Sequence, residues 1–102
     1  MAKRVDSNQK EIVACMRNMG ATVAITSMVG KGFPDLVVGF RGKNYLVEVK
    51  DGSKSASRKS LTTCEFMFHD TWKGQVAVVE SVDDAIVLLQ NTYVNAKHFC
   101  VK

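Results

Sequence analysis

Gly32-Phe-Pro-Asp-Leu-Val-Val-Gly-Phe-Arg-Gly-Lys-Asn-Tyr-Leu-Val-Glu-Val-Lys50 decides the reading of this chain. Asp35-Leu-Val-Val-Gly-Phe40 and Asn44-Tyr-Leu-Val-Glu-Val-Lys50 are rich in β-branched and aromatic residues, and only Arg41-Gly42-Lys43 separates them. A linker that short predicts an antiparallel hairpin. Three ionisable residues stand in or beside these apolar strands, Asp35, Glu48 and Lys50, and charges in such places call for a reason. Side chains alternate along a strand, so Glu48 and Lys50 project from one face. A turn centred on Gly42-Lys43 sets Asp35 opposite Lys50 and diagonal to Glu48, with all three on that face. Two carboxylates converging there suit a hard divalent cation, which prefers oxygen ligands, and Lys50 could orient a water or offset developing charge. A structural ion pair between Lys50 and either acid explains the same spacing without chemistry.

Outward from the hairpin, Ser7 is in position to cap a helix over about residues 8–19, whose apolar residues Ile12, Val13, Cys15, Met16 and Met19 recur at helical spacing and which stops at Gly20. Residues 21–26 read as a strand, and a Gly-rich loop leads to Pro34. Thr62 with Glu65 has the form of a capping box, opening a helix in which Phe66, Phe68 and Trp72 are expected to be core. Residues 75–80 give another strand, and Ser81 caps a last helix with Asp83 and Asp84 in its first turn. The expected fold is α/β, a mixed four-stranded sheet flanked by helices in the order αβββαβα.

At 102 residues and 24% charged, with no long apolar run, the chain is expected to be one domain over 1–102. A membrane span, a disordered tail and a multidomain enzyme are excluded at this stage. The polar start lacks the apolar segment of a signal peptide, so a cytoplasmic protein is expected. Cys15, Cys64 and Cys100 share no metal-binding spacing and are read as reduced and mostly buried; His98 with Cys100 is a weak ligand pair. Net charge is +4, and residues 31–60 hold seven bases against three acids while the remainder is balanced. A basic stretch of this kind is the electrostatic footprint of a nucleic-acid binder. Lys31, Lys54, Ser57, Arg58 and Lys59 are the phosphate-contact candidates.

Phe33-Pro-Asp35, a strand and then Glu48-Val-Lys50 resemble the PD-(D/E)XK nuclease signature, and the element order is similar to its restriction-endonuclease-like core. With Leu61-Thr-Thr-Cys-Glu-Phe-Met-Phe-His-Asp-Thr-Trp72 and Val76-Ala-Val-Val79, the chain resembles the VRR-NUC group of small stand-alone phage and bacterial nucleases, over about residues 8–88. The resemblance implies that Asp35, Glu48 and the Val49 backbone carbonyl bind Mg²⁺ or Mn²⁺ and that Lys50 is catalytic. Glu11 stands where the family's first helix often supplies another acid, a solvated helical Glu being the alternative. Glu65 and His69 are accessory candidates. The family usually has Gln at the position of Glu65, where capping competes with a role in the site, and packing competes for His69. The function implied is a metal-dependent endonuclease on DNA, selective for branched or junction structures, by analogy a homodimer, with a helicase or recombination partner in view. The alternative is a non-catalytic nucleic-acid-binding module, or a helicase-associated subunit, on the same fold.

Overall fold

The computed structural model describes residues 6–53 and 60–91. Within them the chain forms α1 (Gln9–Asn18), β1 (Thr22–Ile25), β2 (Leu36–Phe40), β3 (Lys43–Val49), α2 (Thr63–Thr71), β4 (Val76–Val79) and α3 (Val82–Gln90). The expected order αβββαβα is therefore observed. The sheet runs β1-β2-β3-β4; β1–β2 and β2–β3 are antiparallel, and β3–β4 is parallel. Parallel pairing requires a crossover, and α2 provides it.

The hairpin turn differs by one residue from the expectation. Phe40 pairs with Lys43, so the turn is Arg41-Gly42, with φ of 52° and 78°. Positive φ at both central residues is what a two-residue type I′ turn needs to match the strands' twist. Arg41 takes the strained first position with its guanidinium 5.0 Å from the centre of the Phe40 ring, and Lys43 joins β3. Moving the turn by one residue shifts each partner by two, which preserves faces but changes neighbours. Leu36 opposes Val47. The same register carried one residue further sets Asp35 beside Glu48 rather than Lys50.

Alternation then sorts the sheet into two faces. Leu36 and Val38, Tyr45, Val47 and Val49, and Ala77 and Val79 form the core with Ile12 and Met16 of α1 and Ala85, Leu88 and Leu89 of α3. Asp35, Glu48 and Lys50 have the opposite parity, and on that other side Lys50 meets Glu65 of α2.

Helix termini follow the sequence except at the start. Thr62 and Glu65 make the capping box, and the Ser81 hydroxyl accepts from the Asp84 N–H. Ser7 does not cap α1. Asn8 occupies the N-cap position without capping through its side chain, whose Nδ2 donates instead to the Lys50 and Glu80 carbonyls, 3.1 Å each. Ser7 Oγ bonds Asp51 Oδ2 at 3.3 Å. These side chains tie the helix start to the ends of β3 and β4, which outweighs a local cap.

The expectation of an aromatic core on α2 fails. Phe66 and Trp72 are exposed and Phe68 is half-buried, whereas Glu65 and His69 are buried. The capping box turns Glu65 inward toward Lys50, so the inward stripe of α2 runs through residues four apart, 65 and 69. Phe68 instead stacks on Trp72 (5.0 Å) and meets Phe33 edge-on (5.3 Å) at the surface. Of the cysteines, Cys64 is exposed and Cys15 half-buried, both free, contrary to a mostly buried set. His98 and Cys100 lie outside the described residues.

Candidate metal and nuclease site

Asp35, Glu48 and Lys50 are 2%, 1% and 7% exposed. Asp35 is carried at the entry to β2 by the turn through Pro34, and its Oδ2 accepts the Val49 N–H at 2.8 Å. That bond, from an acid of one strand to the backbone between Glu48 and Lys50 of the next, locks the three residues' relative positions. Glu48 sits on the central part of the sheet, between β2 and β4, and the Lys50 N–H continues the parallel ladder to the Val79 carbonyl at 2.9 Å.

The Lys50 ammonium lies 2.8 Å from Glu65 Oε1 and 3.8 Å from Glu48 Oε2. The same Glu65 Oε1 accepts the Thr62 N–H at 2.9 Å, so Glu65 both caps α2 and holds the lysine. The capping box expected from sequence is thus observed, and the same oxygen also meets Lys50. Burial pushes the Glu65 carboxyl up, but the hydrogen bonds from Lys50 and the Thr62 N–H, the Lys50 charge and a hydrogen bond with Glu48 outweigh it and hold it at about 2, below its usual 4.5. A carboxyl depressed in the folded state stabilises above its unfolded pKa and loses that contribution as the pH falls toward its folded one. The urea midpoint of the wild type is therefore expected to drop between pH 4.5 and about 2 more steeply than that of Glu65→Gln; parallel curves would show that Glu65 contributes nothing to acid lability.

Asp35 and Glu48 fit a hard divalent cation by donor chemistry: both are oxygen ligands, both are buried, and they share one face at adjacent strand ends. Among the described residues, no three His, Cys, Asp or Glu side chains form a group that could hold a metal ion.

Of the other candidates, Glu11, Lys31 and His69 lie among the described residues. Glu11 is exposed and lines a cleft of about 700 Å³ with Asn8, Asp51, Glu80, Asp83 and Asp84; Asp35, Glu48 and Lys50 do not line it. So acidic a cleft repels a phosphate backbone. Lys31 is exposed in a loop where Gly30, Lys31 and Gly32 all have positive φ. His69 is 4% exposed on the inward stripe of α2. Lys54, Ser57, Arg58 and Lys59 lie outside the described residues. Sequence reasoning missed Asn8 as a support of the site: its bond to the Lys50 carbonyl spans 42 positions, and locally an Asn there reads only as a cap. Among the described residues no helix is long and apolar enough to cross a membrane.

No family model matches the chain, and no curated protein matches it. A solved structure described as a VRR_NUC domain is similar to it, with a TM-score of 0.63 and 27% identity, covering 83% of this chain and 92% of that one. That similarity supports the VRR-NUC nuclease group for this chain, and with it a nuclease-type domain.

Proposed function

We propose that the chain is a metal-dependent endonuclease, a single nuclease domain that hydrolyses DNA phosphodiester bonds with selectivity for branched or junction structures. The observation that carries the reading is the buried pair Asp35 and Glu48, on one face beside the Lys50 ammonium. Asp35, Glu48 and the Val49 carbonyl would hold Mg²⁺ or Mn²⁺, which when bound polarises the scissile phosphate and lowers the pKa of a bound water. Lys50 is the group that stabilises negative charge developing on the phosphate or orients the attacking water. Asp35 orients the strand segment that carries the other two, through the Val49 N–H. In this reading the protein acts in the cytoplasm of a bacterial host, phage-encoded, as a homodimer whose paired sites suit two strands, with a helicase or recombination protein as partner.

The test is cleavage of labelled duplex, single-stranded, flap and four-way-junction DNA with Mg²⁺, Mn²⁺ or EDTA. Cutting with metal, absent in EDTA and fastest on the junction, is expected. A folded protein that binds these DNAs and cuts none is instead a non-catalytic binding module or a subunit awaiting its partner.

Lys31, Lys54, Ser57, Arg58 and Lys59 serve in this reading to place the phosphate backbone over the site. Each lost phosphate contact lowers the steepness of log K against log salt by roughly 0.9 on duplex DNA. The double variant Arg58→Ala/Lys59→Ala is accordingly expected to bind more weakly, with a salt slope shallower by about 2, in fluorescence anisotropy titrations. An unchanged slope removes these two residues from the interface.

A further inference from the structure

Two residues before Asp35 in the chain, Phe33 opens a group of aromatic rings that runs along α2. Phe33 meets Phe68 edge-on at 5.3 Å, and Phe68 lies on Trp72 with ring centroids 5.0 Å apart and planes 15° apart. Both ends of the group are fitted closely. The loop of Phe33 is closed by its N–H on the Gly30 carbonyl at 3.0 Å and pressed to the first turn of α2 at Gly32. At the far end, Gly74 leaves room for the indole edge, since a Cβ there would lie 2.9 Å from Trp72 Nε1. With one face on Phe68 and that edge against Gly74, the indole keeps its outer face for solvent, and Trp72 is 38% exposed. Lys31, two residues before Phe33, and Lys73, next after Trp72, are both exposed. Asp70, two residues on from Phe68, projects from the opposite side of the helix. Two residues of extended chain span at most about 7 Å, so the rings begin close to the acids and end within a few nucleotides of them.

We propose that Trp72, backed by Phe68, is a platform on which one unpaired nucleobase of the bound DNA strand stacks, with Lys31 and Lys73 taking the neighbouring phosphates. The proposal rests on the nuclease reading above and names the feature of the substrate that this surface recognises, a base already out of the duplex. Stacking on an aromatic ring is indifferent to sequence, because every base has a π-face. A paired base must first leave its own stack at a cost in free energy, so the platform favours flaps, junction centres and single strands over intact duplex. Charge decides the occupant. The chain's basic excess lies in residues 31–60, between Lys31 and the start of α2, which favours a polyanion over a second, equally basic copy of the chain.

Trp72 is the sole tryptophan, so its emission reports on the platform directly. The experiment titrates the wild type in EDTA with oligothymidylate, a flap and a blunt duplex, following Trp72 emission, and measures anisotropy of the same labelled DNAs with wild type, Trp72→Leu and Trp72→Phe. Oligothymidylate and flap are expected to quench the emission and the duplex to leave it nearly unchanged. Trp72→Leu, apolar but without a π-face, is expected to weaken binding of single strand and flap by roughly 10-fold and of duplex by less than about 2-fold, with Trp72→Phe recovering most of the loss. Emission unmoved by single strand overturns the proposal, as do equal losses on strand and duplex in Trp72→Leu. The quenching needs no variant, so it judges the platform even where Trp72→Leu fails to fold. Emission that changes with protein concentration without DNA, together with self-association that light scattering shows to be lost in Trp72→Leu, gives the face to a second copy and overturns the proposal too. Because no reading depends on metal, the two hypotheses fail separately. Quenching by a protein that cuts no DNA with Mg²⁺ overturns the nuclease reading and keeps the platform, whereas metal-dependent cutting with unmoved emission does the reverse.

Discussion

Asp35→Asn is expected to lose metal-dependent DNA cleavage by on the order of 10²–10³-fold while remaining folded. The substitution removes one negative charge from the proposed metal-binding pair and keeps an oxygen to accept the Val49 N–H now held at 2.8 Å. The geometry of the strand ends therefore survives, and the stability change is held to about 1 kcal/mol, the worth of one altered hydrogen bond. Activity and stability should part company, which distinguishes a site acid from a structural one. The check is single-turnover cleavage of junction DNA with Mg²⁺, beside urea unfolding of the same preparation. Wild-type cutting by a folded Asp35→Asn would take Asp35 out of the site. Lys50→Ala is a poorer probe, because it strands Glu65 and Glu48 in the interior; breaking a buried pair from one side costs about 3–5 kcal/mol.

Gly32→Ala is expected to destabilise the protein by more than about 2 kcal/mol. Gly32 has φ of 82°, and a Cβ there would lie 2.5 Å from the Cys64 carbonyl oxygen and 2.6 Å from its carbon. Both are backbone atoms in the first turn of α2, so no side-chain rotation relieves the overlap. Either the loop lifts from the helix or the helix moves, and α2 is the element that brings Glu65 to Lys50. The expected signature is a lowered thermal midpoint. Gly30→Ala is the control: Gly30 also has positive φ, 75°, but a Cβ there meets nothing within 4 Å, so only the backbone strain remains, about 1 kcal/mol or a little more. Equal midpoints for the two variants would show that the contact with Cys64 carries no weight.

Much of the architecture was legible because it depends on local patterns. Alternating β-branched residues and a short linker give the hairpin, and Thr62 and Ser81 announce their helices by side-chain chemistry that acts within one turn. The acids and the lysine stood out because they interrupt apolar strands. What failed was each inference that needed a distant partner. The turn slipped by one because Arg41 accepts a left-handed conformation over the Phe40 ring, a cost no tripeptide pattern shows. Phe66 and Trp72 looked like core by spacing, but which stripe of α2 faces inward is set by an ionic contact to Lys50, fifteen residues from Glu65 in sequence. Ser7 lost the cap because Asn8 and Ser7 bond to strand ends 42 and more residues away.

Residue type and order alone settle that the chain builds an αβββαβα mixed sheet and that Asp35, Glu48 and Lys50 share one face, since a period of two survives any even shift in register. Only the assembled molecule decides that Asp35 stands beside Glu48, that Asp35 grips the Val49 N–H, and that the lysine goes to Glu65. The reason is range: periodicity and capping are properties of a few consecutive residues, whereas the partner of a buried charge is chosen by whichever fixed, opposite charge packing delivers to it.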